Sequence, residues 1–535
     1  MKKHVLFFLL HLYSFSVYPQ LFFNEVSSSF DFNHSYFQGI SGAGLSFADF
    51  NNDGLDDISI PTNGEKSIFF FKNDGTKLIS QNFNISYPYQ VKQILWIDYD
   101  NDNDKDLYLT SFNGKNKLFE NDGFFYFNDV TSLLNLPDSL SNSFGSSWAD
   151  INNDGYIDLL QTYRTSDTLS NTIKIFLSDS ALSFHEITST TNISELSKLP
   201  FCASFVDIDN NNLLDLYIAN DKSSGNSMYY NNGNLSFNNI SESSNTGVDM
   251  DAMSVTIGDF NNDQFFDIYS TNLEEGNKFF VNNKDLTFTE NAQNLGVSFN
   301  GQAWGSQFED FDLDGYEDLY VSGALVGSDN PSSAFYSNIF GKYFEENNSV
   351  GLGIDTVESY SNAIGDIDNN GIPDIAVLNM FPHRSFIFKN TYSGNNNWLK
   401  LNIKGLSSNK DAYGARLVLY SGDLVLTRAK FSTEGYLSQN SDNIFFGLGE
   451  NNSIDSLFIY WPSGTKDRLY DLGVNEIISI NEGSTSEKPI IYSNKLSLCD
   501  GETMFLISLI SICFKLRKSN RSICIFYCTK IRNSC

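Results

Sequence analysis

A nine-residue pattern with aspartate at both ends, Asp-x-Asx-x-Asx-Gly-x-x-Asp, returns seven times along this chain of 535 residues, with position 6 filled by glycine or a substitute. Successive copies begin about fifty residues apart, and the sixth copy, residues 310–318, is the most complete. A period of this length marks a repeated supersecondary unit. The pattern therefore predicts a repeat protein.

The residue types in the pattern are those that bind calcium. Calcium takes about six to eight oxygen ligands, and a tight loop with carboxylate or amide groups at positions 1, 3, 5 and 9 supplies most of them. Glycine at position 6 permits the positive φ that lets these oxygens converge. We number the loops 1 to 7, and the predicted ligands are, in that order, Asp49, Asn51, Asp53 and Asp57; Asp98, Asp100, Asp102 and Asp106; Asp150, Asn152, Asp154 and Asp158; Asp207, Asp209, Asn211 and Asp215; Asp259, Asn261, Asp263 and Asp267; Asp310, Asp312, Asp314 and Asp318; and Asp366, Asp368, Asn370 and Asp374. We expect up to seven structural Ca2+ ions.

Two alternatives share part of this pattern. An EF-hand needs glutamate at position 12 and flanking helices, whereas position 12 is Ile60, Gln161 and Val321 in three copies. Asparagine and aspartate also form ordinary turns, so a single copy fits a metal-free Asx turn equally well. Seven copies with aspartate at both ends favour metal. Loops 4 and 5 are the weakest, because Asn211 replaces an acid and Gln264 occupies the position that needs a positive φ.

The rest of each repeat is predicted to be strands. Short branched and aromatic runs flank the loops, such as 94–97 and 107–110, and a second hairpin of the type aromatic-x-Asn-Asx-Gly follows, as at 71–75. Four strands in about fifty residues are typical of a propeller blade. Residues 22–26 read as the last strand of a repeat, so we expect the N-terminus to complete the final blade, whose own chain ends near residue 390.

These repeats resemble the FG-GAP or VCBS type found in integrin α-chain propellers. Residues 45–48, 147–149, 255–258 and 362–365, which precede four of the loops, match that type in kind. The resemblance implies a calcium-stabilised β-propeller used mainly for binding.

Residues 396–483 resemble the ASPIC/UnbV domain. The matching stretches are Gly-Ala-Arg-Leu at 414–417, Gly-Tyr-Leu-Ser-Gln at 435–439, Phe-Gly-Leu-Gly at 446–449 and Trp-Pro-Ser-Gly at 461–464. The pairing of modules resembles the secreted CRTAC1-like proteins. The predicted fold is all-β, a seven-bladed β-propeller over residues 21–392 with a smaller C-terminal β-sandwich-like domain at 396–483.

The two ends of the chain differ from this pattern. Residues 1–20 have the charged-then-apolar character of a secretory signal peptide, too short and interrupted for a membrane span. Residues 484–535 begin like a surface Ig-like repeat and then become basic and cysteine-rich, which indicates a truncated or out-of-frame end. The cysteine spacings there match no zinc site. We expect a secreted or cell-surface protein.

Charge and motifs bear on the function class. The net charge of −31 argues against nucleic-acid binding, which needs a basic surface. His34, His185 and His383 are each alone in their stretch, and no nucleophile, phosphate-loop or zinc-protease motif is present. We predict a monomeric, non-enzymatic recognition, adhesion or scaffold protein for an extracellular glycan or protein ligand. The alternative is a polysaccharide lyase or hydrolase with its site on a propeller face.

Overall fold

The protein was analysed as a computed structural model that describes residues 21–485, apart from 38, 40, 63–67, 166, 168, 274 and 325–331. Residues 486–535 form a separate unit, of which only two paired strands are described, β36 (Ile512–Lys515) and β37 (Ser522–Ile525). The predicted signal peptide lies outside the described residues, and so does the rest of the tail.

The described strands of residues 21–390 pair into five antiparallel sheets of four strands and one of eight, in which residues 141–142 pair with 112–114 and join two groups of four. We call the seven groups of four blades. Blade 1 contains β2 (Ser46–Ala48), β3 (Asp57–Pro61), β4 (Ile68–Asn73) and β5 (Leu78–Gln81); blade 2, β6 (Gln90–Ile97), β7 (Asp106–Gly114), β8 (Lys117–Asn121) and β9 (Phe127–Asp129); blade 3, β10 (Ser141–Ala149), β11 (Asp158–Tyr163), β12 (Ile173–Ser178) and β13 (Phe184–Glu186); blade 4, β14 (Pro200–Val206), β15 (Asp215–Asn220), β16 (Ser227–Asn231) and β17 (Phe237–Asn239). Blade 5 contains β18 (Thr256–Gly258), β19 (Asp267–Ser270), β20 (Lys278–Asn282) and β21 (Phe288–Glu290); blade 6, β22 (Gln302–Glu309), β23 (Asp318–Ala324), β24 (Ser333–Asn338) and β25 (Phe344–Glu346); blade 7, β26 (Ser359–Gly365), β27 (Asp374–Asn379), β28 (Phe386–Asn390) and, as its fourth strand, β1 (Phe23–Glu25). The described helices are α1 (Ala292–Leu295) and two 3-10 turns, Thr188–Thr190 and Leu352–Ile354.

The blades are arranged around a central axis. The first strands of neighbouring blades contact one another from β2 to β6, β10 and β14, and from β18 through β22 and β26 back to β2. These first strands are buried over most of their length, because both faces pack on neighbouring blades and the unpaired edge lies toward the axis. In each blade the nine-residue loop connects the first strand to the second, so all seven loops lie at one face of the ring, which we call the loop face.

The N-terminal strand closes the ring. Strand β1 pairs with β28 in the register Phe23 to Asn390, Asn24 to Lys389 and Glu25 to Phe388. A chain segment from the start of the sequence thus covers the edge that the last repeat leaves open.

The C-terminal domain contains two sheets packed face to face. In the first sheet β29 (Trp398–Lys404) lies between the antiparallel β32 (Asn443–Gly447) and the parallel β35 (Glu476–Asn481). The second sheet has the order β31 (Leu424–Ala429), β30 (Arg416–Ser421), β33 (Ile454–Tyr460) and β34 (Lys466–Leu472). Leu401, Leu417, Phe446 and Trp461 belong to the apolar core of this domain.

The predicted all-β class is confirmed, with four-stranded sheets of the kind expected for propeller blades. Across the described part of the chain, no helix has the length and apolar character needed to cross a membrane.

Truncating the buried aromatic residue of the closing strand tests this closure. Phe23 is 1% exposed, with its ring 5.4 Å from Phe311 and 5.9 Å from Phe335. We expect Phe23→Ala to lower the free energy of unfolding by about 3–5 kcal/mol, measured by urea denaturation. The matched control is Phe22→Ala, because the neighbouring Phe22 is exposed and its loss should cost far less. Equal effects of the two substitutions would contradict the closure.

Candidate metal loops and the docked C-terminal domain

The seven loops share one backbone conformation. Position 6 has a positive φ in every copy, at 72° even for Gln264 in loop 5. Position 4 also has a positive φ in every copy, which the sequence analysis did not anticipate. Six of the seven residues at position 4 are asparagine, the residue that adopts this conformation most readily after glycine. The seven residues at position 4 are Asn52, Asn101, Asn153, Asn210, Asn262, Leu313 and Asn369.

The carboxylate at position 1 shapes each loop. Its two oxygens accept hydrogen bonds from the backbone N–H groups of positions 5 and 6, at 2.7–3.1 Å in all seven copies. In loop 6, for example, Asp310 accepts from Asp314 at 3.0 Å and from Gly315 at 2.7 Å. The Asx turn considered from the sequence is therefore part of every loop. In loops 2 and 6 the position 3 carboxylate also accepts the N–H of position 5, and the position 5 carboxylate accepts that of position 7.

The aspartate at position 9 joins two parts of its blade. Its Oδ1 accepts the backbone N–H of the last residue of the third strand, at 2.6–2.8 Å in all seven blades. In five loops Oδ2 accepts the N–H of position 2. In loops 5 and 6, Oδ2 of the position 9 residues Asp267 and Asp318 is buried without a hydrogen-bond partner among the described residues. Oδ1 of Asp368, at position 3 of loop 7, is also buried without such a partner.

The predicted ligands converge most closely in four loops. Three carboxylates offer oxygens within 4.8 Å of one another in loops 2, 4, 6 and 7. The groups are Asp98, Asp100 and Asp106; Asp207, Asp209 and Asp215; Asp310, Asp312 and Asp314; and Asp366, Asp368 and Asp374. Loops 1, 3 and 5 carry asparagine at position 3. Converging carboxylates with buried, unpartnered oxygens are a donor set that fits a hard cation.

Burial raises the pKa of several carboxylates in the loops. Burial, together with neighbouring carboxylates, raises the pKa of Asp57 and Asp98 to about 8. The pKa of Asp215 is raised to about 8 by burial, in spite of a hydrogen bond from Asn231. In loop 6, burial and the charges of Asp312 and Asp314 raise the pKa of Asp318 well above its usual range. A bound cation would remove this repulsion.

The last residue of the third strand links one loop to another, a role that sequence reasoning missed. It is asparagine in six blades and Ser178 in blade 3. Asn282 donates its side-chain amide to the carbonyl of Ile208, at position 2 of loop 4, at 2.9 Å. Asn338 donates in the same way to Phe260 in loop 5 at 2.8 Å. The sequence signal was the asparagine of the aromatic-x-Asn-Asx-Gly pattern, which was interpreted only as a hairpin turn.

The position 4 asparagines form a second set of links in the opposite direction. Asn101 donates to the carbonyl of Gly155 in loop 3, and Asn262 donates to that of Gly315 in loop 6, both at 2.9 Å. Equivalent bonds join Asn52 to loop 2 and Asn210 to loop 5. Neighbouring loops are therefore joined directly by hydrogen bonds.

The C-terminal domain is docked on the loop face. Asp411 accepts the backbone N–H of Asp98 in loop 2 at 2.8 Å, and Lys400 forms an ion pair of 2.9 Å with Asp366 in loop 7. The backbone N–H of Gly449 donates to the carbonyl of Leu313 in loop 6. Loops 2, 6 and 7 therefore form part of the surface on which this domain packs.

Buried ion pairs lie in the same interface. Lys105 of loop 2 is 2.6 Å from Asp411 and 3.1 Å from Asp442. Burial disfavours its charge, but these two carboxylates raise the pKa of Lys105 well above its usual value. A cavity of about 460 Å³ adjoins the pair between loops 1 and 2 and β29. On the other side of the domain, Arg428 pairs with Glu317 at 3.1 Å.

Residues 432–441 of the C-terminal domain, which we call the axial segment, enter the centre of the ring. The side chain of Gln439 accepts from the hydroxyl of Ser46 and the backbone N–H of Trp96, both at 2.8 Å, and donates to the carbonyl of Trp96 at 2.7 Å. Gly435 donates to Val255 before blade 5, and Ser441 to Ile364 in blade 7. Leu437 is fully buried. The axial segment thus forms hydrogen bonds with backbone groups of the ring that face the axis.

An aromatic collar surrounds the tip of the axial segment. The first strands of blades 3, 4, 6 and 7 each contain a β-bulge, and the bulged residues include Phe144, Phe201, Trp304 and Tyr360. Phe201 and Trp304 lie 5.7 Å and 5.0 Å from the ring of Tyr436 in edge-on geometry. A bulge redirects a side chain out of the regular alternation, and here it brings aromatic rings to the axis.

Comparison with known proteins agrees with this architecture. The FG-GAP-like repeat family matches residues 49–109, 98–160, 207–270 and 259–321, and the ASPIC and UnbV family matches residues 405–487. No curated protein matches the chain. Among solved structures, an Agrocybe aegerita lectin that recognises non-reducing terminal N-acetylglucosamine is 14% identical, with 61% of this chain and 86% of that chain covered and a TM-score of 0.39. The BP39L lectin of Burkholderia pseudomallei is 10% identical (63% and 93% covered, TM-score 0.42), and BBS1N in complex with ARL6DN is 9% identical (68% and 98% covered, TM-score 0.43).

Gln439 provides a test of the axial segment. We expect Gln439→Ala to lower the free energy of unfolding by about 3 kcal/mol, because buried groups of Ser46 and Trp96 lose their partners. Urea denaturation followed by tryptophan fluorescence measures this loss. Gln293→Ala is the matched control, since Gln293 is exposed on α1 and should change stability by less than about 0.5 kcal/mol. An unchanged urea midpoint for Gln439→Ala would refute the role of the segment.

Proposed function

We propose that this chain, which consists of FG-GAP-like repeats followed by an ASPIC and UnbV domain, is an extracellular calcium-binding recognition or scaffold protein. Its ligand is a glycan or another protein, bound on the outer surface of the ring. The observation that carries the proposal is an aromatic patch on the flank of blades 1 and 2, described below.

Calcium is the ion that fits the loops best. Their donors are carboxylates, side-chain amides and backbone carbonyls, the oxygen ligands that calcium prefers. Bound calcium would supply positive charge that neutralises the buried carboxylates of positions 1, 3, 5 and 9. Loops of this kind generally need the millimolar calcium found outside cells, which supports a secreted or cell-surface location.

The docked C-terminal domain restricts where a large ligand can bind. It covers loops 2, 6 and 7, and its axial segment fills the centre of the ring. Surfaces that remain accessible include the flanks of the blades. A rigid scaffold that presents exposed groups on its connecting segments is a common arrangement for recognition.

The aromatic patch lies where the second hairpin of blade 2 meets blade 1. Phe124 and Tyr126 are 87% and 57% exposed. Between them, Phe125 stacks on Phe83 with ring centroids 5.7 Å apart and an interplanar angle of 14°. A groove of about 280 Å³ continues from Phe83 to Tyr87 and Pro88. Exposed aromatic rings beside a groove suit stacking on a sugar or an apolar protein contact.

A binding role accounts for the titratable groups better than catalysis does. The loop aspartates form a metal-directed set, and the ring of His34 packs against Phe69 and Phe71 at 4.4 and 4.9 Å. Burial lowers the pKa of His34. We therefore propose that the chain is not an enzyme, and that it acts as a monomer.

Calcium should reverse a pH effect on stability. In the metal-free protein, burial raises the pKa of Asp57, Asp98 and Asp215 to about 8, from about 4 in an unfolded chain. The folded state then binds more protons between these values, so its stability is greatest below about pH 4 from this source and is lost as the pH rises through about 8. We expect the melting temperature in EGTA to fall by several degrees between pH 5.5 and pH 8. Millimolar calcium should raise it, most strongly at pH 8. The same melting temperature with calcium and with EGTA at pH 8 would refute structural calcium.

Removing the exposed rings tests the aromatic patch. The double variant Phe124→Ser/Tyr126→Ser should lose at least about tenfold in affinity for its ligand, because exposed aromatic anchors commonly contribute most of the binding energy. The ligand is sought by retention on a panel of immobilised polysaccharides and extracellular proteins in calcium, with reducing-end release measured in parallel.

Leu182→Ser is the matched control. Leu182 is 77% exposed in the corresponding hairpin of blade 3, so its replacement removes an exposed apolar group outside the aromatic patch. Equal retention of the double variant and the control would refute the patch as the binding site. Release of reducing ends would favour the polysaccharide-degrading alternative instead.

A further inference from the structure

One position on the third strand contacts the metal loop of its own blade in four blades. It is the residue before the last residue of that strand, and across the seven blades it is Lys72, Glu120, Leu177, Tyr230, Val281, Ser337 and Lys389. In blade 4 the Tyr230 hydroxyl donates to Asp209, at position 3 of loop 4, at 3.1 Å. We call this residue the loop-facing position.

In two blades the loop-facing position supplies a positive charge. Lys72 forms an ion pair of 2.9 Å with Asp53, at position 5 of loop 1. Lys389 pairs with Asp368, at position 3 of loop 7. Glu120 in blade 2 adds a negative charge instead, and its proximity is one of the causes that raise the pKa of Asp100 to about 6, after burial and Asp102.

Loop 7 receives a second lysine from the C-terminal domain. Lys400 of β29 lies 2.9 Å from Oδ2 of Asp366 and 2.8 Å from Oδ1 of Asn369. The side chains of Lys400 and Asp366 are both buried. Two ammonium groups therefore contact a loop that has three carboxylates. Loop 6, by contrast, brings four carboxylates together, and none of its predicted ligands has a lysine or arginine ion pair in the described structure.

We propose that loop 7 holds Lys389 and Lys400 in place of a calcium ion. Loops 1 and 5, in which one lysine each pairs with a predicted ligand (Lys72 with Asp53 and Lys284 with Asp263), are weaker calcium sites than the rest. The inference rests on the proposed calcium binding of the other loops. A divalent cation in loop 7 would lie within a few ångströms of two ammonium groups, and this repulsion is poorly screened in a buried site. The same two lysines account for the convergence of three loop 7 carboxylates without metal.

The location of loop 7 suggests what the replacement of calcium by lysine would achieve. Blade 7 is closed by β1, and Lys400 lies on the first strand of the docked domain. Internal ion pairs at this loop would keep the closure of the ring and the attachment of the C-terminal domain independent of the calcium concentration. The other loops would respond to calcium, and blade 7 would remain assembled.

Calcium stoichiometry measured by equilibrium dialysis of the full chain tests the inference. Wild type should bind fewer than seven ions. Lys389→Met/Lys400→Met should bind one ion more than wild type, because the loop 7 carboxylates would no longer be paired with ammonium groups. Ser337→Lys, which places a single lysine at the loop-facing position of blade 6 as in loop 1, should bind one of its ions more weakly than wild type does. Lys174→Met is the control, since Lys174 pairs with Glu186 on the surface of blade 3 and should leave the number unchanged.

The single variant Lys389→Met replaces the double variant in this test if the loss of Lys400 unfolds the docked domain. It retains Lys400 and should bind an added ion at higher calcium concentration, provided that its circular dichroism matches wild type. Wild type with seven ions would overturn the inference, and so would a folded double variant with the wild-type number. Wild type with no bound calcium would refute the proposed function. In that case, one ion gained by the double variant would still support the inference, and no gain would overturn it.

Discussion

The buried aspartate at position 9 is the interaction on which the rest of the ring depends. One of its oxygens accepts a hydrogen bond from the third strand of its blade, and in five blades the other accepts from the start of the loop. The same carboxylate therefore fixes the order of strands and the place of the loop. Burying so many carboxylates is costly unless a positive charge compensates them. In our proposal, calcium meets this cost in most of the loops and lysine meets it in one.

The C-terminal domain is the second constraint, because it occupies the loop face and the axis together. Gln439 joins blades 1 and 2, and Tyr436 contacts rings from blades 4 and 6. A domain held by so many blades stabilises the closed ring as much as it is stabilised by it. Outer surfaces remain accessible, among them the aromatic patch, where Phe124 and Tyr126 are exposed on a hairpin of blade 2.

Much of the loop chemistry was predictable, because its determinants are close together in sequence. The aspartates of positions 1 and 9 and the positive φ of position 6 belong to one nine-residue segment, and the resemblance to FG-GAP and ASPIC/UnbV modules is confirmed. The link from Asn282 to Ile208 was missed, since these residues belong to different blades. The prediction that loops 4 and 5 are the weakest calcium sites stays a prediction, although Asp207, Asp209 and Asp215 of loop 4 converge. The lysines that contact loop 7 could not be found from the loop itself, because they come from other strands.

Sequence by itself determined the repeat, the strand-forming runs, the loop conformation and the identity of the oxygen donors, because each depends on residues a few positions apart. Only the tertiary structure decided that the Gly-Tyr-Leu-Ser-Gln stretch would fill the axis, and which loops would receive a lysine. Ser46 and Gln439 are 393 residues apart, and no local preference records such a pair. Their contact exists because the closed ring has backbone groups at its axis that require a hydrogen-bond partner.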